Sequence, residues 1–188
     1  MNPYFEVTPK NIFISHVKRT YNFPAHFHSY LEISFCISGM QNVRVGEKVY
    51  TLKKGDAIAI FPNTIHEYIE CDSLCNEPTE IVAIICNTKL LDENLPDIIT
   101  KYPRNPFINA NVISENTALA FRKITMRNND IEMIGWTYII LSNLLCVLDL
   151  IPTEGNLELP SKIVSYIDEN FKEELTISHI AKVFGYHP

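Results

Sequence analysis

The stretch His26-Phe-His-Ser-Tyr-Leu-Glu32 governs how the N-terminal half of this chain is read. His26, His28, Tyr30 and Glu32 share one parity. On an extended strand they would face one side, with Phe27, Leu31 and Ile33 on the other. Further along, His66 follows a Pro62-Asn63 turn at the head of another short apolar run. Three imidazoles and a carboxylate admit three readings. They suit a divalent transition metal with open coordination positions. They also supply the few oriented polar groups that a pocket for a small ligand uses. Or they satisfy buried backbone groups and are structural. Tyr30 and Tyr68 would add hydroxyl and aromatic contacts to a ligand pocket, or serve as half-buried packing.

Around this stretch, apolar residues come in short runs separated by turn residues. The runs 31–37, 49–52, 57–61, 67–69 and 81–86 are punctuated by Ser38-Gly39, Gly46-Glu47, Gly55-Asp56 and Pro62-Asn63. Short strands with turns at this spacing predict an all-β sandwich or barrel.

The period then changes. Ser114 is a candidate N-cap for a helix through about residue 127, whose Leu119, Phe121, Ile124 and Met126 form no clean stripe. Asp130 is a second candidate cap, for a helix to about residue 150 that is apolar nearly all round. Glu132, Asn143 and Asp149 argue against a membrane span there. Such a helix needs cover on several sides, so residues 114–150 are a candidate homodimer interface; packing on their own barrel is the alternative. Residues 152–156 read as a linker. Beyond it, Ile163, Val164, Ile167 and Phe171 define a one-faced helix, and Thr176 caps a shorter one ending near Gly185. The sequence stops three residues later, which reads as a truncated domain.

Composition narrows the classes. The chain of 188 residues is 46% hydrophobic, ample for a core, and carries a net charge of −6. No chain-wide basic footprint for nucleic acid exists. Five cysteines without a Cys-x-x-Cys read as reduced thiols. No export signal precedes the first strand, and a soluble, cytoplasmic protein with no membrane partner is expected.

The spacing His26-x-His28-x3-Glu32-x6-Gly39 is similar to the first motif of the cupins, and Gly55-x5-Phe61-x-Asn63-x2-His66 resembles the second. Phe61 stands where Pro is usual, Asn63 where Gly is usual, and Thr20 where a Gly precedes the first motif. Asn tolerates φ > 0 better than other non-glycine residues, so the turn is expected to survive. The segment 163–188, with Asn170-Phe171, Leu175-Thr176, Ile180-Ala181 and Phe184-Gly185, resembles the opening of the AraC-type DNA-binding domain.

Together these resemble an AraC-type (AraC/XylS family) transcriptional regulator. The resemblance implies an α+β chain. It would comprise a cupin-like β-barrel (double-stranded β-helix or jelly roll) with its connection at 1–112, a helical dimerisation segment at 113–152, and the first helices of a helix-turn-helix domain at 156–188. It implies DNA and a small polar effector, such as a sugar, as partners, and no enzymatic activity. The effector would meet His26, His28, Tyr30, Glu32, His66 and Tyr68. Lys182 is a candidate phosphate contact, and the base-reading residues would lie beyond Pro188. Residues 156–188 hold three Lys against five acidic residues, a balance of −2, so this piece alone is not expected to bind DNA. No cofactor is expected. A metal at His26, His28, Glu32 and His66 is the lesser alternative, and with it a metal-dependent cupin enzyme, a dioxygenase or isomerase.

Overall fold

The computed structural model describes residues 3–6, 11–71, 77–91, 97–126, 129–152 and 159–186. Cys75, residues 127–128, the linker residues 153–156 and Pro188 lie outside them. The chain divides into two compact units, 1–152 and 153–188.

In the first unit, β1 (Tyr4–Phe5), β2 (Ile12–Val17), β3 (Phe23–Phe27), β4 (Leu31–Ser38), β5 (Met40–Val45) and β6 (Lys48–Lys53) come first. They are followed by β7 (Ala57–Ile60), β8 (His66–Ile69) and β9 (Glu80–Cys86). A short connection holds α1 (Asp97–Thr100), β10 (Lys101–Pro103) and β11 (Phe107–Ile108). Then come α2 (Glu115–Ile124), α3 (Asp130–Val147) and β12 (Leu150–Pro152).

The strands form two five-stranded sheets, ordered β1-β3-β8-β5-β6 and β11-β7-β4-β9-β2, while β10 and β12 pair separately. All pairings are antiparallel except β1 with β3. The result is a mixed α+β unit consistent with a cupin-like sandwich. Apolar side chains from both sheets, including Cys36, Ile58, Ile60 and Ile81 from one and Val43, Leu52 and Tyr68 from the other, share one buried cluster between them.

The stretch 26–32 is not one strand. The chain bends at Ser29-Tyr30, so β3 lies in the first sheet and β4 in the second. Two turns explain the local path. Gly39 has φ +68, and a Cβ there would sit 2.6 Å from the Thr79 Cα. Asn63 adopts φ 63, the left-handed value that the sequence required of a residue replacing glycine.

Strand β4 is buried on both faces, and its parity separates two environments. Leu31, Ile33 and Phe35 join the cluster that receives the helices. Helix α2 is capped by Ser114, whose Oγ accepts from the Thr117 amide. It does have a stripe: Thr117, Ala120, Phe121 and Ile124 are buried. Leu119 and Met126 are exposed, and the small Ala120 and Thr117 hold the inward positions instead. The ring of Phe121 stacks on Phe35, centroids 4.4 Å apart at 3°. Helix α3 begins one residue earlier than the Asp130 cap allows, because Asn129 is the N-cap in a reciprocal capping box with Glu132. It ends at Val147, short of residue 150, where the chain enters β12. Thr137, Ile140, Leu141 and Leu144 face the core, and Ile131, Gly135, Ile139, Ser142 and Cys146 are exposed. By length and composition α3 is the one helix among the described residues able to cross a membrane.

The second unit holds α4 (Leu159–Asn170) and α5 (Ile177–Val183). The Thr176 side chain caps α5 by accepting from the His179 amide. Gly185 lies beyond it with φ 74. His179 Nε2 lies 2.9 Å from the Tyr166 hydroxyl. Lys182 is exposed in the last turn of α5. Leu159, Ile163, Ile177, Ile180, Ala181, Phe184 and Tyr186 line an apolar cavity of about 330 Å³.

Candidate functional site

The bend at Ser29-Tyr30 brings residues of both sheets to one point. His26 comes from β3, His66 opens β8 opposite it, His28 sits just before the bend, and Glu32 enters from β4. One ligand atom from each of the four lies within 4.8 Å of the others. None is more than 3% exposed.

Each imidazole is fixed from behind. His26 Nδ1 lies 2.9 Å from the Pro24 carbonyl, His28 Nδ1 3.2 Å from that of Tyr30, and His66 Nδ1 2.9 Å from that of Thr64. A carbonyl only accepts, so each Nδ1 carries the hydrogen and each Nε2 is presented to the cluster. His28 Nε2 is 3.0 Å from Glu32 Oε2. His66 Nε2 is 3.3 Å from the same oxygen, within ion-pair reach but off the hydrogen-bond line, and is a buried atom without a hydrogen-bond partner. Glu32 Oε1 accepts from the Tyr68 hydroxyl, with Ser34 Oγ 3.4 Å away. Three nitrogens anchored through their far side and one carboxylate oxygen form a donor set that fits a divalent transition-metal ion.

Charge is distributed unevenly here. Burial alone would raise the Glu32 carboxyl, but the His28 and His66 imidazoles outweigh it and hold Glu32 well below the usual range. Burial would lower His66, and the Glu32 carboxylate overrides it and raises it. For His26, burial and then the charge of His66 dominate and push it down to about 4. Its Nε2 has a second acid at 3.5 Å, Glu6, which burial raises.

Among the residues singled out in the sequence, Tyr68 joins the cluster, while Tyr30 packs with Ala83 and Ile85, its ring 5.8 Å from that of His28. Three participants were not singled out. Ser34 was accessible from parity, two residues past Glu32. Glu6 and Tyr21, whose ring stacks on Tyr68 with centroids 5.0 Å apart, come from distant segments that carry no motif.

The sequence matches the family described as AraC-like ligand binding domain over residues 11–125. That span runs through the sheets, all four cluster residues and α2. The chain belongs to the AraC-like ligand binding domain family. No curated protein matches it. Among solved structures, this family member is similar to apo ToxT from Vibrio cholerae, a K-to-A variant, with a TM-score of 0.58 at 11% identity, over 97% of this chain and 73% of that one. Unsaturated fatty acid bound wild-type ToxT from the same species gives 0.50 at 11% identity, over 94% and 69%. The AraC-like transcriptional activator CuxR gives 0.45 at 12% identity, over 84% and 57%. The relation to ToxT is one of fold.

The His26 environment makes stability pH-dependent. Between its folded value near 4 and an unfolded value of about 6.5, the unfolded chain binds a proton that the folded chain refuses. The His26 contribution is therefore full above pH 6.5 and falls as pH drops to 4, by up to about 3 kcal/mol. Glu6 partly offsets this, because its raised carboxyl is relieved by protonation. His66, raised above 6.5, contributes fully throughout this window and loses its contribution only on the alkaline side. Urea denaturation of chelator-treated protein at pH 7, 5.5 and 4 should show the decline, and His26→Gln should flatten it. An equally steep decline in the variant would assign it to other groups.

Proposed function

We propose that this chain is the effector-sensing part of a cytoplasmic transcription regulator. In this reading 1–112 is the sensor, residues 114–150 join two copies, and 156–188 opens a helix-turn-helix domain that binds DNA. The family match across the sheets and α2, over a buried polar cluster, is the observation that carries it. The effector acts at His26, His28, Glu32 and His66, with Tyr68 alongside. Effector binding changes DNA occupancy only by as much as it favours one arrangement of the regulator over another.

The apolar cavity between α4 and α5 supports the helix-turn-helix reading, since a recognition helix would cover such a face. Lys182, exposed in the last turn of α5, is then the phosphate contact on this piece. Immunoprecipitation of the epitope-tagged chromosomal product, with sequencing of the cross-linked DNA, tests the function. Enrichment at discrete sites is expected, and a uniform background would sink it.

The outward face of α3 supports self-association. Ile131, Gly135, Ile139, Ser142 and Cys146 form an exposed stripe without a charge. Sedimentation at micromolar concentration should give a dimer, and Ile139→Glu a monomer. A wild-type monomer throughout would remove this face as the interface.

For the effector itself, the anchored Nδ1 atoms favour a divalent metal ion over a sugar. The four ligand atoms lie within 4.8 Å of one another, dimensions suited to an ion. His26, His28, His66 and Glu32 would hold it, and bound there it would supply a Lewis-acidic centre able to recruit an oxygen or nitrogen donor.

A further inference from the structure

We propose that Tyr68, braced by Ser34, is a positioning residue that makes Glu32 a one-oxygen donor to a divalent metal ion held with His26, His28 and His66. This rests on the metal reading of the cluster.

A free carboxylate can bind an ion through one oxygen or both. At Glu32 the two oxygens have separate occupations. Oε2 faces the imidazoles, 3.0 Å from His28 Nε2 and 3.3 Å from His66 Nε2. Oε1 faces away and accepts the Tyr68 hydroxyl. That phenol has a single proton, committed to Glu32. Ser34 Oγ, 2.5 Å from the Tyr68 oxygen, therefore donates to it, which polarises the phenol and strengthens its own donation.

The pair is held as firmly as the ligands. Tyr68 is 4% exposed and Ser34 0%. Tyr68 stands on β8 and Ser34 on β4, so their contact crosses from one sheet to the other directly behind the cluster. The Tyr21 ring stacked on Tyr68 at 21° fixes the phenol's plane. With the three Nδ1 anchors, every outward-facing polar atom of the four ligands is tied, and only Nε2, Nε2, Nε2 and Oε2 are offered inward. One-oxygen binding by Glu32 then leaves positions on a five- or six-coordinate ion free for a further ligand, which is what a sensor needs.

Cobalt(II) is the probe, because its visible absorption reports coordination number as well as binding. The full chain is stripped with chelator, titrated with Co2+, and read by absorption and by competition with a chelator of known affinity. Wild type is expected to bind stoichiometrically. Tyr68→Phe keeps the ring and loses only the hydroxyl; it should bind Co2+ about 10- to 100-fold more weakly, with a changed visible spectrum. Ser34→Ala should shift both readouts in the same direction by less. The metal-free melting curves establish that each variant is folded. If Tyr68→Phe does not fold, Ser34→Ala decides alone. Wild-type affinity and spectrum in the folded variant would overturn the positioning role while leaving the metal reading in place. Failure of wild type to take up Co2+ would overturn both.

Discussion

Glu32→Ala is expected to lower the stability of the metal-free protein by about 3–5 kcal/mol, the cost of removing one partner from a buried charged pair. For a chain of this size that is a fall in melting temperature of roughly 6–20 °C. Glu32 is 3% exposed and neutralises an environment built for it. Without it, His28 and His66, ring centroids 5.0 Å apart, face each other with no acid between them. The Tyr68 hydroxyl loses its acceptor as well. Glu32→Gln keeps an acceptor for Tyr68 and should cost less, which separates the lost charge from the lost shape. Urea midpoints at pH 7 in chelator measure both. An alanine variant within about 1 kcal/mol of wild type would mean that the cluster is hydrated rather than built. A saturating metal ion adds a second difference. On the proposed metal reading it should stabilise wild type by about 4 kcal/mol at a thousandfold excess over Kd, and the variant by far less.

Phe121→Ala should cost a similar amount, about 3–5 kcal/mol, by a different route. Phe121 is fully buried and stacked on Phe35, and the parallel ring pair adds to the area it buries. It is the largest of the four side chains that α2 buries. A cavity there weakens the hold of the helix pair before it weakens the sheets. The single tryptophan, Trp136, lies on α3 and is packed against the same cluster, so its emission reports the packing of the helices on the sheet. In urea, wild type should lose Trp136 emission and far-UV circular dichroism together. Phe121→Ala should lose the emission first. Coincident transitions in the variant would show that the ring is not what fastens α2.

Much of the site was legible because its residues lie close in sequence and alternate. Parity put His26, His28 and Glu32 on one side, and they do converge, although through a bend rather than along a single strand. A bend of two residues preserves the alternation, so the wrong local structure still led to the right neighbours. Asn63 was legible for a local reason as well, since its turn needs φ > 0 and Asn supplies it. Helix α2 misled because large apolar residues were counted. Where a helix lies close on a sheet, Thr117 and Ala120 mark its inner face better than Leu119 or Met126. Glu6 and Tyr21 reach the cluster only through tertiary folding, and no spacing within one segment announces a contact of that kind. The separate roles of the two Glu32 oxygens were also out of reach, because they depend on Ser34 and Tyr68 meeting from opposite sheets.

Strand β4 carries Glu32 and Ser34 on the face that meets the cluster and Ile33 and Phe35 on the face that meets α2. In the proposed reading, alternate residues of one rigid ribbon serve as receptor and as seat for the helices, so the genetics of the two should be hard to separate. Screens for constitutive or unresponsive alleles would be expected to return Ile33, Phe35 and Phe121 beside the cluster residues. An allele at Phe35 would masquerade as a change in effector affinity, and a pseudorevertant of Glu32 could arise on the opposite side of the sheet, in a helix that never meets the ligand.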